Sequence, residues 1–283
     1  MRIAILGTGL MGSALAESLI LAGHDIVVYN RTASKTQALV ELGASAALTV
    51  AEALTATDAV IAVLPDADSL RALLLAEGTR ASLLGRRVLN ASTTKPEQII
   101  QIATEVAHNG GHLAEVSIMV GPDALRAKQA QFILGAAPED ASFWTELLQG
   151  VASRVDLAGG VGAASNAETP ILLASMFGVV TAAYAAAAAI KLNIPQAISE
   201  HYIGMSVPGA EYLLPNLLSR NYEQCMASVD NFAVVSETAL AAARKLELPD
   251  QVLVGISALF AEAQRRGFGA QDGTAIGEVL LKP

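Results

Sequence analysis

Within the first twelve residues, MRIAILGTGLMG, the apolar run Ile3 to Leu6 ends in Gly7-Thr8-Gly9-Leu10-Met11-Gly12. Leu10 to Ala22 then carries Leu10, Met11, Leu15 and Leu19 at helical spacing. A G-x-G-x-x-G set between a strand and a helix constrains the fold more than any other stretch of the chain. Gly7 makes the tight turn, Gly9 lets the backbone approach a pyrophosphate, and Gly12 lets the helix lie close to the strand, while the helix N-terminus favours an anion. A dinucleotide site over Gly7, Gly9, Leu10, Met11 and Gly12 is the expectation. The run ends in glycines and not in a cleavage-site pattern, so it reads as a strand and not as a signal peptide.

Further apolar strands at Ile26 to Tyr29, Ala59 to Leu64, Arg87 to Asn90, Leu113 to Val116 and Phe132 to Gly135 alternate with helices at Ser34 to Leu42, Leu70 to Leu75, Pro96 to His108 and around Trp144 to Leu148. That alternation predicts an α/β domain, a parallel sheet wound on both faces. After Gly162 no strand pattern appears, and helical sequence runs on with breaks at Asn193-Ile194-Pro195, Ser206 to Gly209 and Leu248-Pro249. The expected division is a nucleotide-binding domain over residues 1–160, a long helix over 161–190 and an all-helical substrate and dimerisation domain over 191–283.

A length of 283 residues suits two domains, and the net charge of −9, without a basic cluster, argues against nucleic acid or an anionic membrane surface as partners. One cysteine, Cys225, leaves no disulfide framework and no cysteine-based zinc site, which fits a reducing cytoplasm. The uncharged run Ile171 to Ile190 is long enough to cross a bilayer. It is mostly Ala, Gly, Ser and Thr, without an aromatic belt or a one-sided basic flank, and it reads as a helix buried by protein. No metal is expected: His108 and His112 have ligand spacing, but Asn109-Gly110-Gly111 breaks the helix that spacing would need. His24, after Gly23, reads as a turn residue.

The second strand leads into Asn30-Arg31-Thr32, followed by Ser34 and Lys35. An Asp or Glu there would bind the free ribose 2′-hydroxyl of NAD; an arginine without the acid suits a 2′-phosphate. The expected cofactor is therefore NADP, held by Asn30, Arg31, Thr32 and Lys35.

The GTGLMGSALAESLILAGHDIVVYNRT opening, Leu64-Pro65-Asp66, and a helical second half after GVGAASN resemble the 3-hydroxyisobutyrate dehydrogenase superfamily of β-hydroxyacid dehydrogenases over nearly the whole chain. The resemblance implies an N-terminal Rossmann domain whose cofactor contacts include Leu64 and Pro65, and a long interdomain helix followed by an all-helical C-terminal domain. It also implies a homodimer with its active site at the interface and a small-molecule substrate. Dehydrogenases of this superfamily carry a Lys in G-x-G-x-x-x-K-x-x-x-N; here the pattern is Gly160, Gly162, Asn166 and Pro170. A second family Lys, before an Asp, falls at Val229 beside Asp230. The family's D-A-P-V-S-G-G loop becomes Ala114-Glu115-Val116-Ser117-Ile118-Met119, which keeps only Val116 and Ser117.

All three departures are similar to the imine reductase and reductive aminase branch. That branch shares an asparagine-led loop, here Leu89-Asn90-Ala91-Ser92-Thr93-Thr94, which implies Asn90 and Ser92 at the cofactor. It also shares an apolar loop like Ile118 to Pro122. The branch's catalytic position falls on Asn166 by the dehydrogenase spacing, on Glu168 counting forward from Gly162, and on Thr169 counting back from Met176-Phe177-Gly178; Asn166 is the expected residue, with Glu168 and Thr169 in reserve. Val116, Ser117, Met119, Phe177 and Asp230 are the implied substrate contacts.

Reducing a ketone leaves an alkoxide that needs a proton, which Asn166 cannot supply; an iminium carbon is already activated and leaves no oxyanion. The lost Lys is thus coherent with C=N reduction. Glu168, Tyr184, His201, Tyr202, Tyr212 and Asp230 are the candidate acids for a neutral imine. Two alternatives stand beside an NADPH-dependent imine reductase: a β-hydroxyacid dehydrogenase or short-aldehyde reductase acting on C=O, and a non-catalytic NADP-binding protein.

Overall fold

The computed structural model describes residues 1–223 and 225–282. The chain divides into two compact units, Met1–Glu168 and the residues from Thr169 onward. The first holds one eight-stranded sheet: β1 Arg2–Leu6, β2 Asp25–Tyr29, β3 Ser45–Ala46, β4 Ala59–Ala62, β5 Arg87–Asn90, β6 His112–Ile118, β7 Ala130–Gly135 and β8 Ala152–Gly159. Their spatial order is β3-β2-β1-β4-β5-β6-β7-β8.

The alternation along β1 explains why the sheet is covered on both sides. Ile3 and Ile5 pack with Leu15, Leu19 and Trp144 on one face, and Ala4 and Leu6 pack with Leu54, Leu70 and Ile102 on the other. All four strand residues are fully buried. A strand covered on both faces needs an unbroken apolar run, and each large side chain so buried contributes about 1.5–3 kcal/mol. The chain leaves β1 towards β2 and β3 and returns to β4 on the other side. That reversal opens a crevice at the carboxyl ends of the strands, where such sheets bind ligands.

One feature of the sheet departs from the sequence expectation. β7 runs antiparallel to β6, pairing Glu115 with Gly135 and Ile118 with Phe132. Between β6 and β7 lies only the five-residue helix Pro122–Arg126, too short for the crossover that a parallel neighbour requires. β8 escapes a pattern search because it is a largely exposed edge strand, and its Ser153, Arg154 and Asp156 interrupt any apolar run.

The second unit is helical among the described residues. Its core joins Met176, Val179, Ala182, Ala183 and Ala186 of the helix Ala163–Lys191 to Leu214, Leu217, Phe260 and Ile276. Phe232 stacks on Phe260, with ring centroids 5.5 Å apart. The buried residues of the helix that join this core lie along one stripe. In the chain by itself only 33% of the helix's most apolar window is buried, and Phe177 and Tyr184 lie exposed. The helix is therefore not covered on all sides within this chain, as its composition had suggested. It is the one described helix long and apolar enough to cross a membrane.

The division between the compact units falls inside this helix, after Glu168. Its first residues are bonded to β6, so they belong physically to the sheet.

At the opposite end of the strands from the crevice, buried Asp140 accepts from Arg87 Nε at 2.8 Å and pairs with His112 Nδ1 at 3.0 Å. It ties the helix Pro138–Gln149 to the starts of β5 and β6. Asp140→Ala leaves those donors short of a partner and is expected to destabilise the fold by about 1–3 kcal/mol. A lowered Tm with dinucleotide affinity unchanged is the expected readout.

Candidate dinucleotide and active site

The glycine turn after β1 has the shape its sequence predicts, and each glycine is needed for a different reason. Gly7 has φ +100°, and a Cβ there would stand 2.2 Å from the Val63 carbonyl oxygen; a Cβ on Gly12 would stand 2.0 Å from the carbonyl oxygen of Gly7. Both positions therefore exclude any side chain on packing grounds. Gly9 differs: it caps the helix Leu10–Leu21, and a Cβ there would meet nothing within 4 Å. That open space beside free helix N–H groups is where a pyrophosphate fits, so the residues present suit a dinucleotide. Leu10 is exposed beside it, and Met11 packs on the core.

The loop after β2 is organised around Thr8. Its hydroxyl donates to the Lys35 carbonyl at 3.0 Å and accepts from Asn30 Nδ2 at 2.9 Å, while Asn30 Oδ1 accepts from the Thr32 N–H at 2.9 Å. Asn30 thus holds the loop. The side chains of Arg31, Thr32 and Lys35 are exposed, and those of Arg31 and Lys35 form no hydrogen bond or ion pair among the described residues. After β4 and β5 a second network forms: Asn90 and Ser92 are both buried, the Asn90 side chain donates to the Ser92 carbonyl and accepts from the Ser92 N–H, each at 3.0 Å, and Ser92 Oγ accepts from the Leu64 N–H at 2.9 Å. These two polar residues shape the Leu64-Pro65 loop from beneath.

β6 carries the most consequential side chains. Ala114 and Val116 face the same core as β1's isoleucines, so Val116 is a packing residue, buried on the opposite face of the strand from Ser117. Glu115 and Ser117 point towards the start of the helix Ala163–Lys191. Glu115 is 2% exposed. Its Oε1 accepts from the N–H groups of Gly162 at 2.6 Å, Ala164 at 3.0 Å and Ser165 at 3.4 Å, and its Oε2 accepts from Ser165 Oγ. Burial holds its carboxyl above the ordinary carboxylate range, and the four donors oppose that shift.

Ser117 Oγ donates to Glu168 Oε2 at 2.7 Å. Burial is also the main reason the Glu168 carboxyl lies above the usual carboxylate range; the Ser117 bond opposes it and the Glu115 charge adds to it. Of the three positions that spacing offered for catalysis, then, Glu168 is the one joined to Ser117. Asn166 is exposed, and its side chain makes no hydrogen bond among the described residues. Thr169 is half-buried and begins the second unit. Met119 is half-buried in the loop after β6.

Phe177 and Asp230 belong to the second unit. Phe177 is exposed on the long helix. Asp230 lies in the first turn of the helix Val229–Lys245 and accepts from Gln264 Nε2 at 2.7 Å. His112 pairs with Asp140, and no cluster of three metal-ligating side chains exists among the described residues. Glu115 is the residue sequence reasoning quoted without giving it a role. Its signal was a carboxylate inside an otherwise apolar strand, which needs dedicated partners wherever it is buried.

The family described as the NAD binding domain of 6-phosphogluconate dehydrogenase matches residues 2–160. The chain belongs to this family of NAD-binding domains. Among its relatives, the uncharacterized oxidoreductase YfjR of Bacillus subtilis is 36% identical over 143 residues, half of each chain. The 3-hydroxyisobutyrate dehydrogenase of Pseudomonas aeruginosa is 30% identical over 193 residues, 68% of this chain and 64% of that one. The NADPH-dependent reductive aminase of Aspergillus oryzae is 30% identical over 200 residues, 67% of this chain and 64% of that one. The alignments thus span about half to two thirds of these relatives.

The fold is shared more widely. A 3-hydroxyisobutyrate dehydrogenase from Salmonella typhimurium superposes with a TM-score of 0.89 at 21% identity over 99% of both chains. An imine reductase from Myxococcus stipitatus in complex with NADP+ gives 0.68 at 22% identity over the full length of both.

For this family member the two glycine types separate by experiment. Gly9→Ala is expected to leave thermal stability within about 0.5 kcal/mol, since its Cβ meets only open space, but to weaken dinucleotide binding measured by calorimetry. Gly12→Ala is expected to lower both, because its Cβ collides with the Gly7 carbonyl.

Proposed function

We propose that this protein is an NADPH-dependent reductase that acts on the C=N bond of an imine. The observation that carries the reading is the Ser117–Glu168 pair, a half-buried carboxyl raised by burial, hydrogen-bonded at 2.7 Å beneath an apolar loop. Bound NADPH supplies the hydride. Glu168, in its protonated form, gives the imine nitrogen its proton, so that imine, hydride and proton together make the amine, and the carboxylate left behind is reprotonated from water. Ser117 orients that carboxyl. Ile118 and Met119 keep the surroundings apolar, and the loops after β1, β2 and β4 hold the cofactor in line, where alignment contributes about 7–11 kcal/mol.

Charge favours this substrate class over a hydroxyacid. No Lys, Arg or His forms an ion pair with Glu115 or Glu168 among the described residues. An anionic substrate would meet two carboxyls without a cation, whereas a neutral imine or a cationic iminium meets a fitting field. Reduction of a short aldehyde remains the second reading, supported by the likeness to 3-hydroxyisobutyrate dehydrogenase and by Glu168 itself, which can protonate an alkoxide.

The exposed, unpaired Arg31 supports NADP as the cofactor. The open apolar surface of the long helix supports a soluble homodimer in which a second copy covers that surface, in the cytoplasm rather than in a membrane.

Two measurements test the reading. Arg31→Ala is expected to weaken NADPH by about ten- to a hundredfold, the equivalent of ~1.5–3 kcal/mol, with little effect on NADH; equal losses for both overturn the NADP assignment. Glu168→Gln is expected to lower kcat for a neutral cyclic imine by roughly 10²–10⁴-fold at unchanged NADPH affinity. An N-alkylated iminium, which needs no proton, should be reduced by Glu168→Gln as by wild type. The rate with the neutral imine should fall as pH rises through the raised Glu168 value, because only the protonated carboxyl donates. Turnover of a semialdehyde acid but of no imine would return the protein to C=O chemistry.

A further inference from the structure

We propose that Glu115 is a positioning residue for the reaction, a buried anion pinned at the start of the long helix that keeps the proton on Glu168. This rests on the reading of Glu168 as the acid. Glu115 and Ser117 lie two residues apart on one face of β6, about 7 Å along the strand. Ser165 and Glu168 lie about one helical turn apart, roughly 5 Å along the helix. The two spacings match, so Glu115 bonds the first turn while Ser117 bonds Glu168, and the carboxyls stand side by side.

Their surroundings assign them different roles. Three N–H groups converge on Glu115 Oε1 and Ser165 Oγ bonds Oε2, so although burial raises this carboxyl its donors favour the ionised form; Glu168 has the single bond from Ser117. Two carboxyls this close and mostly out of water cannot both ionise freely, and the one with fewer donors retains the proton. The Glu115 charge acts on Glu168 in that direction.

Among the described residues no cation pairs with either carboxyl. β7 meets Glu115 through Gly135, where a Cβ would stand 2.8 Å from Oε1, and β7 carries no charged residue. β5 pairs Asn90 with Glu115; its one charged residue, Arg87, lies at the far end on Asp140. The segment Pro96–Ile100, which packs against Gly162, has Glu97 and the preceding Lys95 as its charged groups, and neither forms a salt bridge with the pair. On the long helix's own first turns Glu168 is the only titratable side chain.

The test uses the full-length protein with NADPH. Glu115→Gln keeps an acceptor for the three N–H groups and removes the charge. The expected result is unchanged NADPH affinity and an alkaline limb displaced to lower pH with the neutral imine. At a pH on the wild-type limb this reads as a rate loss of about tenfold, with no loss on the N-alkylated iminium. Glu115→Asp, which restores the charge, should return the limb towards wild type. A limb that does not move in Glu115→Gln overturns the proposal.

Carbon-13 NMR of the glutamate carboxyls supplies a second arm if Glu115→Gln fails to fold. In the wild type Glu115 should ionise first, at lower pH than Glu168, and Glu168 ionising before Glu115 overturns the proposal. The underlying reading fails separately: Glu168→Gln that keeps full rate and an alkaline limb removes Glu168 as the acid, whatever the carboxyl titrations show about Glu115.

Discussion

The carboxylate of Glu115 is the contact on which the rest of the site depends. It brings the N-terminus of a 29-residue helix to the middle of β6 and satisfies backbone groups that would otherwise be stranded. Gly162, Ala164 and Ser165 belong to the turn that opens the helix, where N–H groups have no partner within it. Truncating one side of such a buried charged contact costs about 3–5 kcal/mol. The tie also sets the rotation of the helix: with Ser165 on Glu115, Glu168 faces Ser117, and Asn166 turns outwards.

Space for this contact comes from glycine. A side chain at Gly135 would press on Glu115 Oε1 and on the Gly160 carbonyl, and one at Gly162 would meet Ile100. Gly162 also has φ +93°, a conformation that suits glycine as the chain turns into the helix. The antiparallel β7 belongs to the same arrangement, since its pairing with β6 sets Gly135 opposite Glu115. The acid pair and the dinucleotide turn are both built at the carboxyl-end side of one sheet, on loops and strand ends that a core covered on both faces holds still.

Beyond Glu168 the same helix changes task. Pro170 lies inside it and has no N–H to offer the Asn166 carbonyl, which loosens the helix at the boundary between the two units. Its remaining turns bury one stripe of Met, Val and Ala in the second core and leave other apolar residues open. A composition so rich in alanine suits close approach of another helix, and it is indifferent to which neighbour supplies the cover.

The amino-acid order alone determined the doubly covered sheet, the glycine turn and the arginine after β2. Each of these is a local pattern: a strand buried on both faces must be apolar throughout, a turn that cannot admit a Cβ must be glycine, and a loop residue follows its strand directly. It pointed first to Asn166 and could not show which of Asn166, Glu168 and Thr169 meets Ser117, because along a helix two or three residues are a small shift in count and a large rotation in space. The tertiary structure joins Glu168 to Ser117 through contacts between residues far apart in the chain, with Ser117 bonding Glu168 across 51 positions and Ser165 bonding Glu115 across 50. It also decided the direction of β7 and the boundary inside the long helix. Both follow from which backbone and side-chain groups find partners once the chain is packed, and no local pattern encodes that.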